Sequence, residues 1–344
     1  MLIALDAANS FNKVKSYKGE DCYYNLLRDY TDQSLWGNSQ PSVYQIGDHT
    51  PQVIGSPDFE QNSSFSRDKD RYSSPLFIRS CLIAVARHAE NKDNVKLVIG
   101  LPSSHFNDPD VRKTLETNLV GTHTVTISKG DHKEVKTFDI VKVLPILQPL
   151  GTVFDVVMDE DYVIDPQFLG KDVITIDIGW GTTDVATVHI DRKGVITLRN
   201  VLYVPISMFN VYKLLWEKMQ NSKPELNGKI FNAFKMDEFF RDSNEDVVFE
   251  QAGVKVENAG KLYKEALAEI SSRIISYIKG NGVSLEQADR VIFTGGGTSA
   301  MLSSIKPHVE GVNTIRSTDS QLSNVRGFYA YGKKIDTSSD LQEV

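Results

Sequence analysis

Apolar residues occur along the chain in short runs, divided by polar and glycine-rich punctuation. Leu2-Ile3-Ala4-Leu5 closes on Asp6, which predicts a buried strand at the outset, and a second extended stretch follows near Val14. Residues 19–74 turn polar, and the passage 61–74 has so little apolar content that it predicts an exposed loop. Ser74-Pro75 supplies an N-cap and a first helical residue for a helix whose apolar face is Leu76, Phe77, Leu82, Ile83 and Ala86. Val95 to Leu101 predicts a buried strand, Asp108-Pro109 opens a helix to about Leu119, and strands over 122–128 and 134–142 meet at Lys129-Gly130-Asp131. A loop and then a helix are expected between Pro145 and Met158. Val173 to Asp177 is a strand, Ile178 to Thr183 a turn, and Asp184 to Val188 a returning strand, with a further strand over 195–204. Leu262, Ala266, Ile270, Ile274 and Ile278 recur at helical spacing from Lys261 to Lys279, with Gly280 as the stop. Arg290 to Thr294 is a last buried strand, running into Gly295-Gly296-Gly297-Thr298 and a helix at Ser299, while residues 333–344 are polar and predicted to fray.

Strands alternating with helices predict an α/β protein. The 344 residues suggest two domains. We expect domain I over 1–160, with an insert at about 19–74, and domain II over 161–317, with an insert at about 215–260. Residues 336–344 are expected to form a flexible tail. The net charge of −7 argues against direct DNA binding over a broad surface. The longest apolar passages, 76–89 and 141–158, are interrupted by Arg79, Arg87, Lys142 and Asp155, so no membrane span is expected. Cys22 and Cys81 lie in no metal-binding spacing, and the seven histidines form no HxH or HExxH pattern. A cytoplasmic protein is the expectation.

A weak duplication carries more information. Leu2-Ile3-Ala4-Leu5-Asp6-Ala7-Ala8-Asn9-Ser10 resembles Val173-Ile174-Thr175-Ile176-Asp177-Ile178-Gly179-Trp180-Gly181, at an offset of 171 that is close to half the chain. Two halves opening on the same hairpin would turn two tight loops toward one cleft. Such loops let backbone N–H groups approach phosphate oxygens. Ser10, Thr182 and Thr183 add hydroxyls, and Asp6 and Asp177 could hold a hydrated Mg²⁺ through its water. Gly295-Gly296-Gly297-Thr298, between strand and helix, makes a third platform. Each piece alone reads as an ordinary turn; the order of all three favours a nucleotide site. Trp180 is expected to pack outward and not on a base.

These three motifs, with Asn324-Val325-Arg326-Gly327-Phe328 near the end, resemble the actin superfamily of actin, Hsp70 and sugar-kinase ATPases, and within it the ParM or StbA type of plasmid-segregating actin. The resemblance, carried by the motifs Leu5-Asp6 to Lys13, Ile176 to Asp184 and Val291 to Thr298, implies an actin-like fold of two duplicated, ribonuclease H-like α/β domains flanking a nucleotide cleft, with residues 318–335 returning to domain I. It implies a filament that assembles with ATP or GTP and Mg²⁺, hydrolyses the nucleotide, and engages a ParR-like DNA-binding adaptor on a plasmid centromere. Carried over by motif, Asp6 and Asp177 resemble the catalytic, water-mediated metal ligands, and Asn9, Ser10 and Lys13 the first phosphate loop. Gly179, Gly181, Thr182, Thr183 and Asp184 resemble the second loop, Gly295, Gly296, Gly297 and Thr298 the nucleoside platform, and Gln148 the residue that positions the attacking water. The first loop departs from the family pattern, because Ala8 stands where a glycine is usual.

Three other functions fit the same fold. A small-molecule kinase would need a carboxylate base aimed at a substrate hydroxyl, and none is identified. An Hsp70-like chaperone would need a peptide-binding domain for which the chain has no length. A non-hydrolysing actin-like scaffold would fit Ala8 and Gln148, and its phosphate release would match buffer.

Overall fold

The computed structural model describes residues 1–31, 41–55, 68–159 and 161–340. The chain divides into two compact units, Met1–Asp165 with Leu322–Val344, and Pro166–Gln321, with both divisions a few residues later than expected.

The first unit carries β1 (Leu2–Ala7), β2 (Phe11–Ser16), β3 (Gly19–Tyr24), β4 (Leu27–Asp29), β5 (Val43–Ile46), β6 (Gln52–Ile54), α1 (Pro75–His88), β7 (Asn94–Leu101), α2 (Ser103–Phe106), α3 (Pro109–Leu119), β8 (Gly121–Lys129), β9 (His132–Leu147) and α4 (Gln148–Val157). The second carries β10 (Lys171–Ile178), β11 (Thr183–Ile190), β12 (Ile196–Val204), α5 (Met208–Ser222), α6 (Ala233–Phe240), β13 (Phe249–Gln251), β14 (Val254–Val256), α7 (Ala259–Gly280), β15 (Arg290–Thr294), α8 (Thr298–Ile305) and β16 (Thr314–Arg316). Helix α9 (Ser323–Asp340) belongs to the first unit.

The duplication is visible in the sheets. The first unit contains the order β3-β2-β1-β7-β9, extended by β8-β5-β6-β4, and the second the order β12-β11-β10-β15-β16. In each, the first three strands are antiparallel neighbours and the next two run parallel to the opening strand. Strand β1 is apolar at successive positions because both its faces are covered. Ile3 and Leu5 join a core with Phe77 and Ile83 of α1, whereas Leu2 and Ala4 pack with Val325 and Phe328 of α9.

Several expectations need correction. The supposed insert at 19–74 is partly main sheet, since β3 pairs with β2 along its whole length. The insert expected from 215 begins inside α5. Residues 69–73 form a 3₁₀ helix with Arg71 and Tyr72 buried, so this end of the expected 61–74 loop is ordered by a cation and an aromatic ring; 61–67 lie outside the described residues. No loop separates β9 from α4: the strand runs through Pro145 to Leu147 and the helix starts at Gln148. Proline is tolerated because pairing with β8 ends at Ile140, leaving one side of β9 without a strand partner among the described residues. Of the tail expected over 336–344, residues to Asp340 continue α9, and the rest lie outside the described residues. Among the described residues no helix is long and apolar enough to cross a membrane.

Candidate functional site

Each unit presents a hairpin turn, and the two are built alike. In the first unit β1 and β2 pair antiparallel with Asp6 opposite Lys13; in the second β10 and β11 pair with Asp177 opposite Asp184. Both pairs stand at the offset of 171 read from the sequence.

Asp6 is buried. Its Oδ2 accepts from Lys13 Nζ at 2.8 Å, and its Oδ1 accepts from Gln148 Nε2 at 2.8 Å. Gln148 reaches Asp6 because β7 lies between β1 and β9, parallel to both, and β9 ends directly in α4. Each carboxylate oxygen retains a lone pair for a further donor, so the arrangement suits a carboxylate acting through water. Lys13 therefore lies on β2 as the counter-ion of Asp6, not in the loop itself.

The loop between the strands is tied by its carbonyls. Arg71 Nη2 donates to Ala7 O at 2.9 Å, Asn25 Nδ2 to Ala8 O at 2.8 Å, and Asn25 N to Ser10 O at 2.8 Å. In a trans peptide the carbonyl and the following N–H point to opposite sides. Pinning Ala8 O thus turns the Asn9 N–H away from Asn25, as an anion cradle requires. No residue from 7 to 10 has a positive φ. Ala8 therefore fits without strain, and the departure from the glycine pattern leaves the turn intact. Asn9 Oδ1 accepts from Arg71 Nη1 at 2.7 Å, and Ser10 is buried.

The second turn uses the same device. Gly179 N donates to Thr182 O at 2.9 Å, and a Cβ on Gly179 would stand 2.9 Å from that oxygen. The carbonyls of Gly179 and Trp180 accept from Met208 N (3.2 Å) and Phe209 N (3.0 Å) at the start of α5, which turns the Trp180 and Gly181 N–H groups to the opposite side. Thr182 Oγ1 donates to Asp184 Oδ2 at 2.8 Å. Thr183 is fully buried, its hydroxyl donating to Ile206 O at 2.8 Å, so that hydroxyl serves the fold. Trp180 packs inward, against expectation, stacked on Phe234 at 4.7 Å, because α6 places an aromatic face under the turn.

The glycine platform lies beside this hairpin. Gly297 N donates to Ile178 O at 2.9 Å and Gly295 N to Ser320 O at 3.0 Å. Gly295 has φ +88°, and a Cβ there would collide with Asp177 Oδ1 and Ile178 O, so only glycine fits. Gly296 is exposed with open space above it, whereas Thr298 is buried and donates its hydroxyl to Thr294 O.

Two features escape the sequence. Arg71 sits in a window without apolar periodicity, and Asn25 has no motif. The Asn-x-Arg-Gly-Phe run has a clear structural role. Gly327 lets α9 meet the Gly151 backbone of α4, Phe328 fills the space over Gly100 and Gly151, and Asn324 Oδ1 accepts from Thr152 Oγ1 at 2.8 Å. Arg326 grips both oxygens of Glu20 on β3, at 2.9 and 2.7 Å. Helix α9 thus braces both the helix bearing Gln148 and the hairpin bearing Lys13.

Residues 13–151 match a family described as the N-terminal domain of actin like proteins. No curated protein matches the chain. Among solved structures, the pCBH ParM non-polymerisable quadruple mutant is similar with a TM-score of 0.79 at 17% identity, over 97% of this chain and 99% of that one. The ParM of a 15-stranded filament from Clostridium botulinum gives 0.78 at 17% identity, over 97% and 99%. An archaeal actin homologue in complex with ADP gives 0.75 at 18% identity, over 97% and 99%. This chain therefore has the actin-like fold, and the proteins it resembles from end to end include ParM.

Proposed function

We propose that the chain is a cytoplasmic, ParM-type actin that binds ATP or GTP with Mg²⁺, assembles into filaments, and hydrolyses the nucleotide to drive disassembly. The observation that carries this reading is the repeated hairpin: two turns at the same register, each with its carbonyls pinned inward and an aspartate at the strand end. The likeness to a ParM filament and to an ADP-bound actin homologue supports it.

Asn9, Ser10 and the second loop, Gly179 to Thr183, would take the phosphates, with Gly295, Gly296 and Gly297 at the nucleoside. Asp6 and Asp177 would hold Mg²⁺ through its water; that ion supplies charge neutralisation of the phosphoryl oxygens. Gln148 donates its amide N–H to Asp6, leaving its amide oxygen to accept from a water and orient it. A neutral amide orients water without removing its proton, which suits slow hydrolysis gated by assembly. The partners would be further copies of the chain and a ParR-like DNA-binding adaptor on a plasmid centromere, since the chain's own charge of −7 disfavours direct DNA contact.

Right-angle light scattering with each Mg-nucleotide, paired with phosphate release and negative-stain microscopy, tests the reading. A nucleotide-dependent rise with filaments and delayed phosphate release is expected. No rise at about tens of micromolar protein, where weak assemblies form by mass action, would refute it.

A further inference from the structure

The first phosphate loop carries a surplus buried cation. Arg71 is buried, yet its guanidinium meets only neutral acceptors, Ala7 O and Asn9 Oδ1, and no carboxylate pairs with it among the described residues. Its Nε is buried without a hydrogen-bond partner among those residues. The carboxylate of the same hairpin, Asp6, is already matched by Lys13. The Arg71 guanidinium also faces the rings of Phe77 and Tyr72, at 5.0 and 5.7 Å, which help hold it in place, and it feels the Asp6 charge without contacting that carboxylate. Burial works against the charged form of this arginine. A buried cation without an anion is costly, and so is an unmatched buried N–H. Nothing in the loop's own folding requires a full charge, since a neutral donor could hold a carbonyl and an amide oxygen.

The geometry points to Arg71 as a phosphate-positioning residue of the first loop: a charge kept in reserve for a polyphosphate, and a fork that presents Asn9 until the ligand arrives. The inference rests on the nucleotide reading above. It adds a residue from outside the hairpin and ties the 3₁₀ helix at 69–73 to the state of the loop. The ligand class is an anion with more than one phosphoryl group, because charge demand grows with phosphate number.

The test is titration calorimetry of wild type, R71K and R71Q with ATP, GTP and the matching monophosphates, with thermal melting in parallel. In R71Q, triphosphate affinity is expected to fall by about tenfold or more, the scale of a hydrogen bond to a charged group, while monophosphate affinity changes by less than about threefold. R71K keeps the charge but not the fork, so its preference for triphosphate over monophosphate should stay within about threefold of wild type. Wild-type selectivity in R71Q overturns the proposal. Equal losses for triphosphate and monophosphate in both variants also overturn it, and make Arg71 a strut. If R71Q does not fold, R71K decides: retained selectivity supports the assignment and lost selectivity removes it. If wild type binds neither triphosphate, the nucleotide reading itself fails, and that outcome is distinct from any change seen in the variants.

Discussion

Replacing Gly327 by alanine sets two physical effects against each other with opposite signs. Gly327 lies inside α9, where alanine is favoured over glycine by about 1 kcal/mol of helix propensity. The crossing with α4 opposes that gain. A Cβ at 327 would meet the Gly151 carbonyl oxygen, with the carbonyl carbon at 2.5 Å and the Cα at 2.9 Å. All three atoms are backbone, so no side chain can swing aside and the helices must separate. Separation loosens Phe328 over Gly100 and Gly151 and stretches the Thr152–Asn324 hydrogen bond. Overpacking costs about 1–3 kcal/mol where side chains can yield, so the upper end or beyond applies here. Net of propensity, a loss of about 2–3 kcal/mol is expected, which lowers Tm by about 4–12 °C for a unit of this size. Gln148 is the first residue of α4, so the shift also draws its amide from Asp6, and phosphate release should slow alongside the loss of stability. Differential scanning calorimetry measures the first effect. Gly280→Ala, at the end of α7 with nothing within 4 Å of the new methyl, is the control and should gain up to about 1 kcal/mol. A G327A protein that melts at or above wild type would refute the close-crossing argument.

Asp177→Ala should abolish nucleotide-dependent light scattering while leaving the melting temperature within a few degrees; assembly at wild-type protein concentration would count against its role. Gln148→Ala should still assemble, with phosphate release and disassembly slowed about tenfold or more, the scale of a lost positioning group; normal turnover would remove the water-orienting role. Gly295→Ala forces a side chain into φ +88° and against Asp177, so triphosphate affinity should fall by more than about tenfold in calorimetry. The Arg326 guanidinium, with help from Lys15, lowers the Glu20 carboxyl to about 2. A depressed folded-state pKa contributes stability above the unfolded value of 4.5 and loses it as pH falls toward 2, with more than half gone by pH 3. Glu20 is partly exposed, so the discounted size is about 1 kcal/mol. The urea-midpoint difference between wild type and Arg326→Met should shrink between pH 6 and pH 3, and a constant difference would contradict it.

Much of the architecture was legible because burial on both faces leaves a plain mark. Strands such as β1, β7 and β10 must be apolar at consecutive positions, and helices such as α7 must repeat at 3.6. The duplication was legible for a related reason: a hairpin that ends a buried strand on a carboxylate is uncommon enough to stand out twice. What stayed hidden depends on contacts distant in sequence. The 3₁₀ helix at 69–73 is ordered by an arginine reaching back to Ala7, which no local pattern records. The junction of β9 and α4 reads as a loop because Pro145 breaks strands in general, and its exemption comes from a partner strand that stops early. The persistence of α9 to Asp340 likewise defies its polar composition; Lys96 on β7 pairs with Asp336 at 2.8 Å and helps hold the helix to the sheet.

The two hairpins differ at one informative place. Opposite Asp6 stands Lys13, and opposite Asp177 stands Asp184, at the same register. The first carboxylate is therefore neutralised within its own hairpin and further steadied by Gln148. The second faces another buried carboxylate across the strands, with Thr182 donating to Asp184. Two buried carboxylates at one level of a sheet favour a nearby cation. A duplicated hairpin has thus been tuned in two directions. The copy in the first unit, with Asp6 matched by Lys13 and the further charge of Arg71, would on the proposed reading receive anionic oxygens. The copy in the second unit, on the proposed reading, would take a hydrated divalent cation as well as phosphate. Under the proposed function, with both aspartates holding Mg²⁺ through its water, that division would give Asp6 the added part of orienting Gln148, although both entered as equals on sequence alone.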